Sequence, residues 1–440
     1  MTDLGYPDRT ARLSKRGLAA YAALALPLAM AMLPVYVYAP KFYAELGLNL
    51  TRIGLLLLAI RALDALSDPL FGIVADRVPR RRVIALAMPL IALGMVLLFN
   101  PPSGVGILAG WFAGALILIY LGLSAASISY FAVGSALSRD YHERTHITAM
   151  RGMASLIGVL MAAALPQYLA VQFGARAGLS WFSVGFAPVL AVGAVVTLFW
   201  TPAPAAAPSK RRVRFELPSV LRPLANAQYR RLAAVFLVNG IAAAIPATLI
   251  LFYVVDIIQH IDYTGIFLVV YFLSGAAGMP LWVRCSTAIG KTRTWSIAMA
   301  LSIAAFAWAF SLGTGDVTAF TAVCALSGLA FGADLALPAS LLADVIDRDE
   351  QAGMSRSDGA YFGLWHLLEK LALAIAAGTA LPLLDALGYQ PGITGGATAL
   401  AVTYALLPCA IKLAAAWLLW TSALEPQRGI EPKFIKQEPT

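Results

Sequence analysis

The sequence predicts an all-α integral membrane protein with twelve transmembrane helices in two six-helix bundles, and three observations predict it. The 440 residues are 60% hydrophobic and only 12% charged, with a mean hydropathy of +0.77. Soluble domains carry about 25% charged residues, so the polar surface a soluble fold needs is missing. Apolar runs of bilayer-spanning length recur along the chain. The longest polar interruption, residues 202–230, joins a Pro/Ala-rich stretch to the basic cluster Lys210, Arg211, Arg212 and Arg214, and divides the runs six and six.

The first run, near 18–40, follows Arg9, Arg12, Lys15 and Arg16, an arrangement shared with secretory signals. It continues past its small residues to Tyr38 and is followed by eleven more, so cleavage is not expected. The others lie near 51–74, 83–100, 105–137, 147–173, 181–201, 231–258, 264–284, 295–312, 318–342, 359–387 and 395–423. This gives an N-terminal bundle over 1–201, a linker over 202–230, a C-terminal bundle over 231–424 and a tail over 425–440. With both termini in the cytoplasm, only Lys41, Arg52 and Arg176 of the 32 Lys and Arg residues fall outside, and Arg61, Arg151, Lys370 and Lys412 fall within spans. That bias sets the orientation in a cytoplasmic (inner or plasma) membrane. Each half carries a basic loop after its second span, GIVADRVPRRR at 72–82 and the weaker WVRCSTAIGKTR at 282–293. Two halves with corresponding loops suggest a duplicated transporter with a central substrate site.

Composition also bounds what the chain does. Cys285, Cys324 and Cys409 are far apart and form no CxxC pair, so neither a disulfide framework nor a zinc site is expected. The net charge of +9 is explained by membrane topology, and no nucleic-acid partner is expected. No nucleophile–base set, metal cluster or phosphate loop stands out, so an enzyme is not expected. No cofactor is expected, the partners are a small-molecule substrate and the lipid bilayer, and a monomer is expected.

The second span carries Arg61, Asp64 and Asp68 at i, i+3 and i+7, one helical stripe facing the bundle interior, with Ser67 beside it. Each charge at a helix centre costs roughly 2.5–3.5 kcal/mol on insertion scales, so three in one span require an explanation. Two carboxylates one turn apart repel, Arg61 offsets this in part, and binding of H⁺ or Na⁺ relieves the rest. The plain alternative is a helix-to-helix tie. Arg151 opens the fifth span, while His366, Glu369 and Lys370 cluster in the eleventh. His366 and Lys370 share a face, and Glu369 points away from it. Asp256 reads as a solvated cap near a span end, Asp334 as open between cavity and tie, and Lys412 as a buried or snorkelling residue without a named partner.

These motifs resemble the glycoside–pentoside–hexuronide:cation symporter (melibiose permease-like) family of the major facilitator superfamily. RALDALSDP at 61–69 is similar to the family's cation motif, and GIVADRVPRRR resembles the superfamily's basic loop. SRDYHERTHITAMRGMASLIG at 138–158 is similar to the loop leading to a cavity arginine, here Arg151. LLADVIDRDE at 341–350 with RSDGAYFGLWHLLEK at 356–370 is similar to the region holding a cavity lysine, here Lys370. The resemblance implies the major facilitator fold and cation-coupled symport by alternating access. It implies cation coupling at Asp64 and Asp68, with Ser67 and Ser124 as hydroxyl ligands, and substrate contacts from Arg61, Ser127, Arg151, His366 and Lys370. It implies gating by Asp76 with Arg77, whereas Arg80, Arg81 and Arg82 are explained by topology alone. No metal is implied beyond Na⁺ at Asp64 and Asp68.

Departures from the family bear on the substrate. Ser67 replaces an Asn of the family's type member, and a hydroxyl is a weaker Na⁺ ligand than an amide, which favours H⁺ over Na⁺. Residues 17–38 contain no acid, and Ser127 stands at a sugar-binding aspartate position, so the usual charged acceptors for sugar hydroxyls are missing. Met30, Met32, Tyr36, Tyr38 and Tyr43, with Tyr120, Tyr130 and Phe131, read either as an apolar cavity with phenolic hydroxyls or as core aromatics. The expected function is cation-coupled symport of a sugar, glycoside or organic acid. The alternatives are a lysolipid or amphiphile symporter and a proton-driven exporter of drugs or metabolites; a non-transporting receptor would not need three charges in one span.

Overall fold

A computed structural model describes residues 14–138, 141–202, 221–351, 358–392, 396–422 and 424. The linker residues 203–220 and the tail from 425 lie outside these, so the expected domain boundaries fall largely on undescribed chain. The described residues form twelve helical units: α1 (Lys15–Glu45), α2 (Leu50–Arg77), α3 (Arg80–Phe99), α4 (Val105–Leu137), α5 (Tyr141–Phe173), α6 (Ala175–Trp200), α7 (Ala227–Ile258), α8 (Thr264–Ile289), α9 (Lys291–Ala309), α10 (Val317–Gln351), α11 (Asp358–Ala386) and α12 (Ala397–Thr421). Ten of these units are long and apolar enough to cross a membrane. The other two are α2, which carries Arg52, Arg61, Asp64 and Asp68, and α9, whose first turn holds Lys291 and Arg293. No strand occurs among the described residues.

Helix packing repeats between the halves. In the first half α2 and α3 pack on α4, α3 on α6, and α1 on α5. In the second, α8 and α9 pack on α10, α9 on α12, and α7 on α11. Each pair maps onto its counterpart six helices later. Contacts between halves follow the same symmetry, α2 with α11 and α5 with α8, and α1 also meets α7.

The two ends of the bundle differ. The basic end carries Arg80, Arg81 and Lys291; the distal end carries the α1–α2 and α11–α12 connections. One hydrophobic core runs through the first half and into the distal part of the second, including Phe252, Phe267, Leu384 and Tyr404. The basic part of the second half has its own separate core around Tyr229, Trp295, Leu341 and Trp365. Among the described residues, the halves therefore share a core at the distal end only.

Distal closure is polar as well as apolar. Asp385 on α11 accepts from Asn49 Nδ2 at 3.1 Å and from the Thr51 hydroxyl on α2. Tyr389, in the following loop, donates to Asp256; burial and that carboxylate both push its phenol above the ordinary value. Asp256 also accepts from the Gly392 amide at 3.4 Å, so it ties α7 to a loop and is not the solvated cap expected from its position. At the basic end, Arg80 donates to the Ala132 carbonyl at 2.9 Å and Arg81 to that of Thr201 at 3.0 Å, while Lys291 pairs with Asp344 at 2.6 Å. Arg81 thus binds the carbonyl of the residue that caps α6, and Arg80 a carbonyl five residues before the end of α4, in addition to setting topology. The side chains of Asp76 and Arg77, expected to gate, lie outside the described ones.

Close helix approach in lipid relies on small residues. On α10, a Cβ at Gly328 would sit 2.2 Å from the Tyr271 carbonyl of α8. Both helices belong to one half, so the clash cannot be relieved by moving the halves apart. We expect Gly328→Val to destabilise the protein by at least about 3 kcal/mol, the upper range for overpacking, read as a lower unfolding midpoint in detergent. An unchanged midpoint would show that α8 and α10 can separate freely.

Candidate functional site

Residues 55–68 contain neither Gly nor Pro, and the Leu-rich run propagates α2 without a break through Arg61, Asp64 and Asp68. Their stripe faces α4 and α11, while Leu63 and Leu66 on other faces of α2 are exposed, as lipid contact requires. α4 contributes Tyr120 and, four residues on, Ser124; α11 contributes Lys370.

These side chains converge. The Lys370 ammonium lies 2.6 Å from Asp68 Oδ1, 3.0 Å from Asp64 Oδ2 and 2.9 Å from Ser124 Oγ. An ammonium has three N–H donors; two of them meet Asp68 and Ser124, and Asp64 is held beside them as an ion pair. Ser124 in turn donates to Asp64 Oδ1 at 2.6 Å. Arg61 approaches Asp64 Oδ2 at 3.8 Å and lies over the Tyr120 ring at 4.6 Å, and its Nε is buried without a hydrogen bond. Two cations thus balance two carboxylates, and Lys370 makes the balance by reaching from one half into the other. Asp64 is 3% exposed and Asp68 26%, so access to the cluster runs through Asp68.

Other expected residues lie elsewhere. Ser67 donates to the backbone carbonyl of Asp64 at 2.8 Å, so its proton is committed to its own helix. Ser127 is half-buried one turn beyond Ser124. Arg151 stacks over Phe131 at 4.5 Å, close to Tyr21 and Tyr130, and is not brought to the carboxylates. His366 pairs with Glu369 at 2.9 Å, both exposed, which corrects the expectation that Glu369 points away from it.

Most of the aromatics are ties. Tyr38, Tyr43 and Tyr130 donate to the carbonyls of Ala163, Leu98 and Tyr21 at 3.1, 2.9 and 2.8 Å. Tyr36 instead lines a cavity between the halves. One cluster was missed from the sequence. Asp334 on α10 accepts from Lys412 of α12 at 3.1 Å and from Trp295 Nε1 of α9 at 2.7 Å. Its members are 39 and 78 residues apart, and no helical periodicity links them.

The profile of the MFS/sugar transport protein family matches residues 20–425. The symporter YjmB of Bacillus subtilis is 23% identical over 390 residues, 84% of this chain and 83% of that protein. The inner membrane symporter YicJ of Escherichia coli is 25% identical over 310 residues, 63% of this chain and 66% of that one. Among solved structures, the nucleoside transporter NupG superposes with a TM-score of 0.70 at 13% identity, covering 93% of this chain and 99% of that one. An inward-facing, unoccupied bacterial homologue of the human lysosomal transporter Spinster gives 0.65 at 16% identity, covering 94% and 96%.

Proposed function

The chain belongs to the MFS/sugar transport protein family and is a multi-pass secondary transporter, not an enzyme, and from that premise we propose that it couples uptake of a small solute to a cation bound at Asp64 and Asp68. The observation that carries this reading is the seat of Lys370. Its ammonium fills the position between the two carboxylates that a coupling cation would take, so lysine and cation compete. Arrival of the cation frees Lys370, and with it the charged tie between α2 and α11 that joins the halves. Loading and relative motion of the halves are thereby linked through one side chain.

H⁺ is favoured over Na⁺. Ser67 is turned to its own backbone, and among the described residues Ser124 is the one hydroxyl on the carboxylates, fewer neutral oxygens than a dehydrated Na⁺ requires. We read the basic end as cytoplasmic from its arginines and lysines, with both termini on that side and the distal closure on the extracellular one. The expected cargo is a sugar, glycoside or organic acid, and the working unit is a monomer with no cofactor. Asp76 and Arg77 retain their proposed gating role.

Reconstituted into liposomes, the protein is expected to accumulate such a solute under an inward pH gradient more strongly than under a Na⁺ gradient; failure of both gradients to drive accumulation across a sugar and acid panel would sink the reading. Lys370→Met removes the competing ammonium. Its apparent cation affinity, read from cation-dependent thermal stabilisation, is expected to rise at least ~10-fold, or about 1.4 kcal/mol. Unchanged affinity would mean that Lys370 and the cation do not share a seat.

A further inference from the structure

The Asp334–Lys412–Trp295 cluster takes no part in cation coupling as described above, yet it borders a cavity. That cavity lies between α1 and the second half and includes Tyr36, Tyr271, Tyr404 and Phe331 with Asp334 and Lys412 in its wall. Side chains of Asp334 and Lys412 are 10% and 5% exposed. Each keeps spare capacity: one Lys412 N–H meets Asp334, leaving two, and the carboxylate has accepted two bonds out of about four. None of the three phenol hydroxyls makes a hydrogen bond to a described residue. Tyr36 and Tyr404 both sit in π-helical turns, Pro34–Tyr38 and Val402–Leu406, a feature frequent at functional sites.

Resting on the symporter reading, we propose that the Asp334–Lys412 pair is the substrate-reading element of the second half, and that it takes a vicinal diol of an uncharged solute. One hydroxyl donates to Asp334, its neighbour accepts from Lys412, and the aromatic walls cover the apolar face of the ring. The charge balance of the pair sets the class. An anionic solute held by Lys412 would lie beside the Asp334 carboxylate in a low-dielectric site, where like charges repel strongly. A neutral diol meets both groups without disturbing their balance. The cavity measures about 50 Å³, room for one or two waters and not for a sugar ring. Entry of solute therefore requires Tyr36 of the first half to withdraw, which ties occupancy of this site to the position of the halves.

The test uses the full-length protein in detergent and isothermal titration with methyl glucoside, methyl galactoside, uridine and glucuronate. Wild type is expected to bind at least one neutral diol, pyranose or ribose as the source, at least ~10-fold more tightly than glucuronate. Asp334→Asn keeps an acceptor for Trp295 but leaves Lys412 uncompensated. It should weaken neutral binding at least ~10-fold and improve binding of glucuronate, a reversal that general misfolding does not produce. Tyr36→Phe, which alters no charge, should weaken the binding of neutral diol and glucuronate alike and so leave the selectivity unchanged. Pale effects on both variants, preference of wild type for glucuronate, or no binding of any neutral diol would each overturn the assignment. Cation-dependent stabilisation reports separately on Asp64 and Asp68: it should persist in Asp334→Asn, and its absence from wild type would indict the coupling reading instead.

Discussion

Asp68→Asn is expected to lower cation-driven accumulation at least ~100-fold, about 2.7 kcal/mol of lost coupling, while leaving the protein folded and able to exchange solute downhill. Asp68 is the more exposed of the two carboxylates and holds Lys370 at 2.6 Å. Asparagine keeps its size and a carbonyl acceptor for the ammonium, and Lys370 retains Asp64 and Ser124 as partners. What is lost is the second negative charge, and with it the attraction for a cation beyond the one Lys370 already supplies. Asp64→Asn is a harsher change, because Asp64 is 3% exposed and faces both Lys370 and Arg61. Removing one member of such a buried network costs about 3–5 kcal/mol, so a failure of that variant would confound coupling with folding. The measurement is solute accumulation against equilibrium exchange in the same liposomes. Accumulation retained in Asp68→Asn would remove Asp68 from the coupling site.

The reach of sequence reading follows the range of the interactions. The stripe of Arg61, Asp64 and Asp68 was legible because helical geometry within one span fixes it, and the cost of three charges in an apolar run marks it as purposeful. Its closure by Lys370 was not legible from the residues themselves: Asp68 and Lys370 are 302 positions apart, and the residues alone read the lysine as facing a cavity or tying two helices without naming its partner. Asp334 and Lys412 likewise each read alone as ambiguous. The tyrosines read from the sequence either as cavity or as core, and most of them proved to be core. A phenol in an apolar run invites a binding role, but backbone carbonyls on neighbouring helices accept from Tyr38, Tyr43 and Tyr130, and a buried hydroxyl in lipid needs such a partner whether or not a substrate is present. Twelve helices were legible despite the charges of α2 and the polar first turn of α9, since the flanking spans and the alternating sidedness of the basic loops leave an even number to be filled.

Gly54→Val is expected to shift the protein towards a state open at the distal end and to reduce uptake at least ~10-fold without unfolding it. A Cβ on Gly54 of α2 would lie 2.8 Å from the Ala377 carbonyl and 2.8 Å from Pro382 Cδ, both on α11. Neither atom is the free end of a flexible side chain, so the helices must part. The contrast with Gly328 is the point of the experiment. Gly328 meets a helix of its own half, so crowding there strains a bundle; Gly54 meets the opposite half, so crowding is relieved by the rocking that transport itself requires. Overpacking of about 1–3 kcal/mol placed on one state of a two-state equilibrium changes the ratio of states by roughly 5–150-fold. The contacts of Asn49 and Thr51 with Asp385 oppose the shift, and adding Asp385→Ala should extend it. Reactivity of a cysteine introduced by Thr51→Cys, in a background with Cys285, Cys324 and Cys409 replaced, towards a membrane-impermeant maleimide reads the opening directly. Higher reactivity with a preserved unfolding midpoint is the expected pair of results. Unchanged reactivity, or a fall in the midpoint like that of Gly328→Val, would mean that the α2–α11 crossing is fixed structure and that the halves do not separate there.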